Sequence, residues 1–286
     1  MNMEQFCDLH THSVYSDGTV SPAEIIRLAK NAGLAAVALC DHNTIDGLAE
    51  FVMAAKNTGV EAVTGIEFST DYLDGELHIL GLFIPESAYD AVSEKLQEVL
   101  ARKEQSNIDL INRLQNIGIE LDYDAIKGGM PGGMVNRAVI AAEMVRKGYV
   151  SSIKEAFSGV LSPKKEYYNP PKRIDVFEAI RFIRSIGAVS VLAHPFLNLN
   201  EDELCIFLKN AVQCGLDGME THYSTFTAEE TAAACRIAER FDLLQSGGSD
   251  FHGANKPDIC IGTGKGNLRV PTEFLEMLKS SAKNEL

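Results

Sequence analysis

The sequence has no apolar run that approaches the roughly 20 residues needed for a membrane-spanning helix. Its first residues, Met1 to Gln5, lack the basic stretch followed by an apolar stretch that marks a signal peptide. With 45% hydrophobic and 23% charged residues over 286 positions, the composition is that of a globular chain with a large core. We therefore expect a cytoplasmic protein that does not associate with membranes.

The sequence also has no cysteine pairs with the spacing of zinc fingers or of redox-active CxxC motifs. The chain has six cysteines and none of them forms a CxxC pair. Several stand in apolar runs such as Ala38-Leu39-Cys40, which predicts buried free thiols in a reducing compartment. The six are Cys7, Cys40, Cys205, Cys214, Cys235 and Cys260.

Basic residues are in short supply. The chain has 26 Lys and Arg against 40 Asp and Glu, for a formal net charge of -14. Binding of a long nucleic acid needs clustered Lys and Arg, so this partner is not expected. A small anionic substrate remains compatible with the sequence, because bound cations can reverse the sign of the charge inside one pocket.

Strand-like apolar segments alternate with helical segments along most of the chain. Sustained βα alternation predicts an α/β fold with a parallel sheet, here closed into a barrel. Ser21, Pro22 and Glu24 predict a helix start with a capping box, and Gly33 predicts its end. The seven predicted strands are approximately 6–9, 35–40, 61–66, 77–83, 188–193, 217–220 and 243–246.

The alternation stops between the fourth and the fifth strand. From residue 86 onwards the pattern is helical, and no convincing strand follows until Ala188. We interpret residues 100–168 as an inserted helical domain that ends before Asn169-Pro170-Pro171. Residues 1–99 and 169–286 then form the barrel domain.

Histidines and carboxylates gather at the predicted strand ends. Catalytic residues of parallel barrels collect at the carboxyl ends of strands, so we expect these distant residues to converge. One further histidine, His78, lies inside a strand. The six histidines that follow a strand or its turn are His10, His12, His42, His194, His222 and His252, accompanied by Asp17, Asp41, Glu67 and Asp250.

Imidazole and carboxylate groups together suit Zn²⁺, Mn²⁺ or Fe²⁺. In His10-Thr11-His12, strand alternation points the two imidazoles the same way, so both can reach one ion. Single members also have simpler interpretations. His78 fits a hydrogen-bonded core residue, and Asp41 fits a helix cap or an orienting residue better than a ligand. Asp71, Asp74 and Glu76 are expected in a solvated turn.

As a set, these motifs resemble the PHP family, named for polymerase and histidinol phosphatase. The resemblance covers nearly the whole chain, with the motifs in order. They are Asp8-Leu9-His10-Thr11-His12 with Ser16-Asp17-Gly18, Cys40-Asp41-His42-Asn43-Thr44, Gly65-Ile66-Glu67-Phe68-Ser69, Glu76-Leu77-His78-Ile79-Leu80-Gly81, Leu192-Ala193-His194-Pro195 and Gly248-Ser249-Asp250-Phe251-His252.

The resemblance implies a distorted seven-stranded (β/α) barrel with three divalent metal ions. It assigns His10, His12, Glu67 and Asp250 to one ion. It assigns Glu67, His78 and His194 to a second ion, with Glu67 as the bridge. The third ion takes Asp17, His42 and His252.

Within the family, the chain looks most like stand-alone phosphoesterases that act on nucleoside 3′,5′-bisphosphates and short oligonucleotides. The resemblance assigns substrate binding to Arg137 and Lys164 of the insertion and to His222, with Lys165 as the alternative to Lys164. It assigns catalysis to His222, Asp250 and Glu67. A metal-activated water is the expected nucleophile.

Other functions stay open at this point. A histidinol-phosphatase-like phosphomonoesterase would use the same metal site. A metal-dependent amidohydrolase also opens with HxH after its first strand, but it would need only one or two ions, and Asp17, His42 and His252 supply ligands for a third. A non-enzymic module is disfavoured by the complete ligand set.

Overall fold

A computed structural model describes residues 5–129, 135, 137–162 and 165–282. The chain divides into two compact units, one formed by the residues up to Glu94 together with those from Ile174 onwards, and one formed by Lys95–Arg173. The sequence predicts these boundaries at 99/100 and 168/169.

The first unit is built around one mixed sheet of nine strands. The hydrogen-bonded order is β8-β7-β6-β4-β3-β2-β1-β9, and β5 pairs with β3. The strands are β1 Phe6–Thr11, β2 Ala36–Leu39, β3 Glu61–Tyr72, β4 Gly75–Leu82, β5 Ile174–Asp175, β6 Val189–Leu192, β7 Gly218–Tyr223, β8 Leu244–Gly248 and β9 Val270–Pro271.

The sheet curls into a nearly closed barrel, in agreement with the predicted fold class. The segment after β8 returns alongside β1, where Thr11 and Phe251 form a parallel bridge. The amide of Asp250 donates to the carbonyl of His10 at 2.8 Å, and the amide of His12 donates to the carbonyl of Phe251 at 2.9 Å. These bonds hold the first and the last motif of the sequence side by side.

Two strands depart from the predicted parallel sheet: the two-residue β9 is antiparallel to β1, and β4 is the larger departure. β4 is antiparallel to both of its neighbours, β3 and β6. The cause is the connection, because Leu73 and Asp74 alone join β3 to β4 and a two-residue connection can only join antiparallel strands. The hairpin also places Glu76 inside β4, where its carboxylate lies 3.1 Å from Nε2 of His78, rather than in the predicted solvated turn.

The described part of the chain contains ten α-helices. They are α1 Pro22–Asn31, α2 Leu48–Ala55, α3 Tyr89–Gln115, α4 Tyr123–Gly128, α5 Arg137–Arg146, α6 Ile153–Ser158, α7 Val176–Ser185, α8 Glu201–Cys214, α9 Ala228–Arg240 and α10 Thr272–Ser281.

The predicted start of α1 is confirmed in part. The hydroxyl of Ser21 accepts from the amide of Glu24, and Pro22 is the first helical residue. The carboxylate of Glu24 pairs with Arg27 instead of returning to the cap, so the capping box is incomplete. Gly33 follows the helix with a φ of +71°, as a helix-ending glycine does.

Small and branched apolar side chains form a core of the first unit. Cys7, Leu9 and Cys40 are fully buried there, and burial raises the pKa of both thiols far above the ordinary value. All six cysteines are free. The prediction of buried thiols holds for Cys7 and Cys40, whereas Cys260 is exposed and the other three are partly accessible.

The second unit has a core of its own. Leu110, Leu114, Ile140, Met144 and Leu161 are completely buried in it, together with neighbours from α3 to α6. Every regular element that the structure describes within this unit is helical. Across the described parts of both units, no helix has the length and apolarity needed to cross a membrane.

We predict that Gly248→Ala destabilises the barrel. An added Cβ would lie 2.4 Å from Cβ and 2.5 Å from the backbone nitrogen of His10, where the chain closes on itself. Such overpacking costs about 1–3 kcal/mol. The melting temperature of the metal-free protein should therefore fall by several degrees.

Gly75→Ala is the matched control, because its Cβ would meet only the carbonyl of Tyr72 at 3.7 Å. We expect Gly75→Ala to change the free energy of unfolding by less than about 0.5 kcal/mol. Equal melting temperatures for the two variants would contradict the tight closure between β1 and β8.

Candidate metal centre

The end of β1 presents two imidazoles to the barrel interior. His10 and His12 are both fully buried, and their Nε2 atoms lie 3.0 Å apart. Thr11 between them faces the other way and donates its hydroxyl to the carbonyl of Ala38 at 2.6 Å. Strand alternation therefore aims both rings at one point, as the spacing predicts.

The carboxylate of Glu67 lies at the centre of the histidines. It is 1% exposed, and both of its oxygens face ring nitrogens. The distances from Oε2 are 3.2 Å each to His10 Nε2, His12 Nε2 and His42 Nδ1, and those from Oε1 are 2.8 Å to His78 Nδ1 and 3.0 Å to His194 Nε2.

Asp17 stands at a more accessible edge, where its side chain is 54% exposed. One of its oxygens lies 3.1 Å from Nε2 of His252, and the other lies 3.8 Å from Nε2 of His42. The turn that carries Asp17 is held by Asp41, which accepts from the amide and the hydroxyl of Ser13 at 2.7 and 2.6 Å. These contacts agree with the interpretation of Asp41 as an orienting residue.

Asp250 connects the imidazoles to two further donors. Its Oδ1 lies 3.3 Å from Nε2 of His12 and 3.3 Å from Nδ1 of His252. Its Oδ2 accepts from the hydroxyl of Tyr223 and the ammonium group of Lys256, both at 2.6 Å. Oδ1 of Asp250 thus faces the histidines of the cluster, and Oδ2 is fixed by the hydrogen bonds from Tyr223 and Lys256.

Two residues of the cluster have strained backbones. His194 has a φ of 30° and Asp250 a φ of 55°, which is the left-handed region that non-glycine residues rarely adopt. Each such residue costs roughly 1–3 kcal/mol and persists only where its surroundings hold it in place. This arrangement is typical of residues kept for a functional geometry.

The clustered residues fall into four overlapping groups, each with ligand atoms within 4.8 Å of one another. All nine residues that the family resemblance assigns to metal binding occur in at least one group. The groups are His12, Asp17, His42 and His252; His10, Glu67 and His194; His10, His12 and Asp250; and His42, Glu67 and His78.

Several atoms of the cluster lack the partners that buried polar atoms need. Nδ1 of His12, Nδ1 of His42 and Oε2 of Glu67 are buried without a hydrogen bond. Unpaired buried polar atoms are rare in folded proteins because each costs about 1–3 kcal/mol. Imidazole nitrogens and carboxylate oxygens at these separations fit divalent cations of the Zn²⁺, Mn²⁺ or Fe²⁺ kind.

The carboxylates and histidines perturb each other's protonation. Burial alone would raise the pKa of Glu67 and of Asp250, but the neighbouring histidines hold both pKa values well below the ordinary range. Burial alone would lower the pKa of His78, but Glu67 and Glu76 raise it to about 9. For His42, burial outweighs the opposing effect of the nearby carboxylates and lowers the pKa to about 4.

Among the described residues, His222 belongs to none of these groups. Its Nδ1 is 2.9 Å from the hydroxyl of Thr221, and its ring contacts that of Phe274 at a centroid distance of 5.3 Å. An irregularity in the pairing of β7 with β8 falls between Glu220 and His222. The role assigned to His222 stays a prediction.

Of the two insertion residues expected to bind substrate, Arg137 is described by the structure and Lys164 lies outside the described residues. The guanidinium of Arg137 stands over the ring of Tyr168 at 4.2 Å and over that of Phe157 at 5.3 Å. It also donates to the carbonyl of Leu161 at 3.2 Å.

Besides Glu76, which contacts His78, the predictions from sequence missed three residues that touch the cluster: Glu220, Tyr223 and Lys256. Glu220 and Tyr223 belong to β7, and the only signal was their position beside His222 at a strand end. Alternation would place Glu220 and His222 on the same face, but the pairing irregularity turns Tyr223 toward the site instead. Lys256 carried no signal, because it lies in an irregular loop.

Comparisons with known proteins agree with this geometry. The profile of the PHP domain matches residues 8–158. A 5′-3′ exoribonuclease of Haemophilus influenzae is 35% identical over 246 residues, which cover 86% of this chain and 89% of the relative. A 3′,5′-nucleoside bisphosphate phosphatase of Chromobacterium violaceum is 28% identical over 264 residues, covering 89% and 90%.

Solved structures show the same fold. A protein of Bifidobacterium adolescentis described as a metal-dependent phosphoesterase superimposes with a TM-score of 0.71 and 26% identity, covering 98% of this chain and 97% of that one. The chain belongs to the PHP family and is a metal-dependent hydrolase of phosphoric esters.

We predict that metal binding at pH 7 releases protons. His78, with a pKa of about 9, and His10, whose pKa the surrounding carboxylates raise well above its ordinary value against the effect of burial, are protonated in the metal-free protein. A coordinating nitrogen must be bare, so metal affinity should rise as the pH increases from 6 to 9.

Isothermal titration with Mn²⁺ in buffers of different ionisation enthalpy measures the release. An observed enthalpy that is the same in every buffer would contradict it. The stability of the metal-free protein should change in the opposite direction. The folded pKa of His78 exceeds the reference value of 6.5, so its contribution is complete below pH 6.5 and is lost as the pH rises through about 9.

Proposed function

We propose that this protein hydrolyses a phosphate ester of a small nucleotide, either a nucleoside 3′,5′-bisphosphate or a short oligonucleotide. The observation that carries the proposal is the gathering of nine potential ligand residues, Glu67 among them, in one cluster in a chain of this family. The Haemophilus and Chromobacterium relatives, which span most of the chain, support the substrate class through their described activities.

The charge of the site supports an anionic substrate once cations are bound. Asp17, Glu67 and Asp250 carry about -3, against about +6 from three divalent ions. Such ions supply Lewis acidity to phosphoryl oxygens and lower the pKa of coordinated water to near neutrality. The acidic surface of the protein meanwhile disfavours long nucleic acids, which supports a short substrate.

The accessible edge of the cluster supports a direction of approach. His10 and His12 are fully buried, whereas the side chains of Asp17, His42 and His78 are 54%, 24% and 19% exposed. A phosphate would therefore enter beside these three residues. Lys256, 40% exposed and paired with Asp250, adds a positive group that can donate to a phosphoryl oxygen.

The role of Arg137 in substrate binding rests on its setting within the insertion. Two aromatic rings restrict its guanidinium, which leaves less entropy to lose when it binds a phosphate. The hydrogen bond to the carbonyl of Leu161 uses only Nη1. Because Arg carries five N–H donors, others remain for a phosphate. We assign Arg137, together with Lys164, to a second phosphate or the oligonucleotide backbone.

A panel of substrates tests the proposed function. The Mn²⁺-loaded protein should release phosphate or mononucleotide from nucleoside 3′,5′-bisphosphates and short 5′-phosphorylated oligonucleotides faster than from p-nitrophenyl phosphate or histidinol phosphate. A preference for histidinol phosphate would favour the phosphomonoesterase alternative. No turnover on any phosphate ester by metal-loaded protein would overturn the proposal.

We predict that Asp250→Asn lowers kcat by more than about 100-fold, because it removes the charge that faces His12 and His252. Asp242→Asn is the matched control, since Asp242 is an exposed carboxylate before β8 whereas Asp250 follows that strand. Its turnover should equal that of the unmodified protein. Circular dichroism checks that both variants fold, and near-normal turnover by Asp250→Asn would count against the site.

We predict that Arg137→Ala lowers kcat/KM for a nucleoside bisphosphate by about 10- to 100-fold, the value of one charge-assisted hydrogen bond. Turnover of p-nitrophenyl phosphate, which has no second phosphate, should change little. Arg146→Ala on the same helix is the control, because Arg146 is exposed and its guanidinium pairs with Glu143 one turn earlier. Equal losses on both substrates would remove Arg137 from a substrate-selecting role.

A further inference from the structure

A fourth carboxylate, that of Glu220, is buried against the cluster without belonging to any of the ligand groups. Glu220 lies in β7 and is completely inaccessible to solvent. Its Oε1 lies 3.0 Å from Nδ1 of His10. Its Oε2 accepts from the backbone amide of His194 at 2.6 Å. The side chain of Glu220 thus connects His10, at the end of β1, with His194, which follows β6.

The contact with His10 decides which ring nitrogen faces the cluster. A carboxylate only accepts hydrogen bonds, so Nδ1 of His10 must carry a proton where it meets Glu220. In a neutral imidazole the other nitrogen is then bare. That nitrogen, Nε2, lies 3.2 Å from Oε2 of Glu67 and 3.0 Å from Nε2 of His12. Once His10 gives up its Nε2 proton on binding a cation, Glu220 therefore leaves the lone pair of His10 facing the cluster.

The contact with His194 acts on the backbone. His194 has φ and ψ angles of 30° and 56°, a left-handed conformation that needs support from its surroundings. The hydrogen bond from its backbone amide to Glu220 stabilises this conformation. The ring of the same residue has its Nε2 3.0 Å from Oε1 of Glu67. The same carboxylate thus sets a tautomer at one ligand and a backbone conformation at another.

We propose that Glu220 is a positioning residue that prepares His10 and His194 for cations, through one oxygen each. The proposal rests on metal binding at this cluster, as does the proposed function, but it does not depend on which phosphate ester is the substrate.

Glu220→Gln tests the proposal with little change in volume. The amide has one acceptor oxygen, and its NH₂ group would face either the Nδ1–H of His10 or the amide of His194. One of the two bonds is therefore lost. Loss of such a partner typically lowers metal affinity by about 10- to 100-fold.

Asp217→Asn is the matched control for a purely structural effect. Asp217 directly precedes β7 and links it to β6 near the start of both strands, whereas Glu220 links β7 to His194 beyond the end of β6. Oδ2 of Asp217 accepts from the amide and the hydroxyl of Ser190 in β6, both at 2.9 Å. It contacts no residue of the cluster among the described residues. Its loss should lower the melting temperature without changing the affinity for metal.

The measurements are Zn²⁺ affinity by competition with a chromogenic chelator, and the melting temperature with and without Zn²⁺. We expect weaker binding and a smaller Zn²⁺-induced rise in melting temperature for Glu220→Gln, but an unchanged rise for Asp217→Asn. Equal affinity in Glu220→Gln and the unmodified protein would overturn the proposal and leave the proposed function intact. Absence of Zn²⁺ binding by the unmodified protein would overturn both.

A second measurement needs no folded Glu220 variant. In Zn²⁺-loaded protein labelled with ¹⁵N-histidine, NMR should show a proton on Nδ1 of His10 that resists exchange with solvent. The resonance is assigned by its absence in His10→Gln. A proton on Nε2 of His10, or no protected Nδ1 proton, would overturn the proposal even if Glu220→Gln does not fold.

Discussion

The carboxylate of Glu67 is buried among five imidazoles, and much of the barrel serves to keep it there. Burying a charge without partners is unfavourable, because the desolvation free energy is still several kcal/mol per ion after the protein has relaxed around it. Histidines from four separate segments of the chain offset that cost by facing its two oxygens. Even so, Oε2 of Glu67 and two imidazole nitrogens have no hydrogen-bond partner, which fits a site for divalent cations.

A layer of carboxylates outside the ligands fixes this arrangement to the fold. Asp41 holds the turn of Asp17, and Glu220 holds His10 and His194. Fully buried Asp8 accepts from the amides of Ser249 and Gly262 at 2.8 and 2.7 Å, which joins β1 to the segment that leads to Asp250. The strained backbones of His194 and Asp250 persist because these bonds and the barrel closure constrain them.

Much of the site was predictable because its ligands follow apolar strands, and parallel strands bring their carboxyl ends to one edge. The PHP resemblance and the (β/α) barrel are confirmed. The direction of β4 was not predicted, since apolar content alone does not tell a hairpin strand from a parallel one. The predicted strands 61–66 and 77–83 left ten residues between them, so the two-residue connection at Leu73 and Asp74 that dictates the direction was not recognised.

Glu220 and Tyr223 were missed for a different reason. Sequence alternation predicts which residues of a strand share a face, but an irregular pairing shifts that register by one residue. His222 was predicted from its strand-end position and the family resemblance, and its role stays a prediction, whereas Tyr223 donates to Asp250. Such an irregularity depends on how neighbouring strands pair, and no pattern within β7 itself reveals it.

The proposed chemistry depends on cations that share the carboxylate of Glu67. Anomalous diffraction from crystals loaded with Mn²⁺ or Zn²⁺ measures this directly. We expect separate anomalous peaks inside the cluster, with Glu67 oxygens and histidine nitrogens at coordination distances of about 2.0–2.2 Å, and Glu67 in contact with more than one ion. Peaks confined to the protein surface, with the side chain of Glu67 turned away from its histidines, would contradict the account.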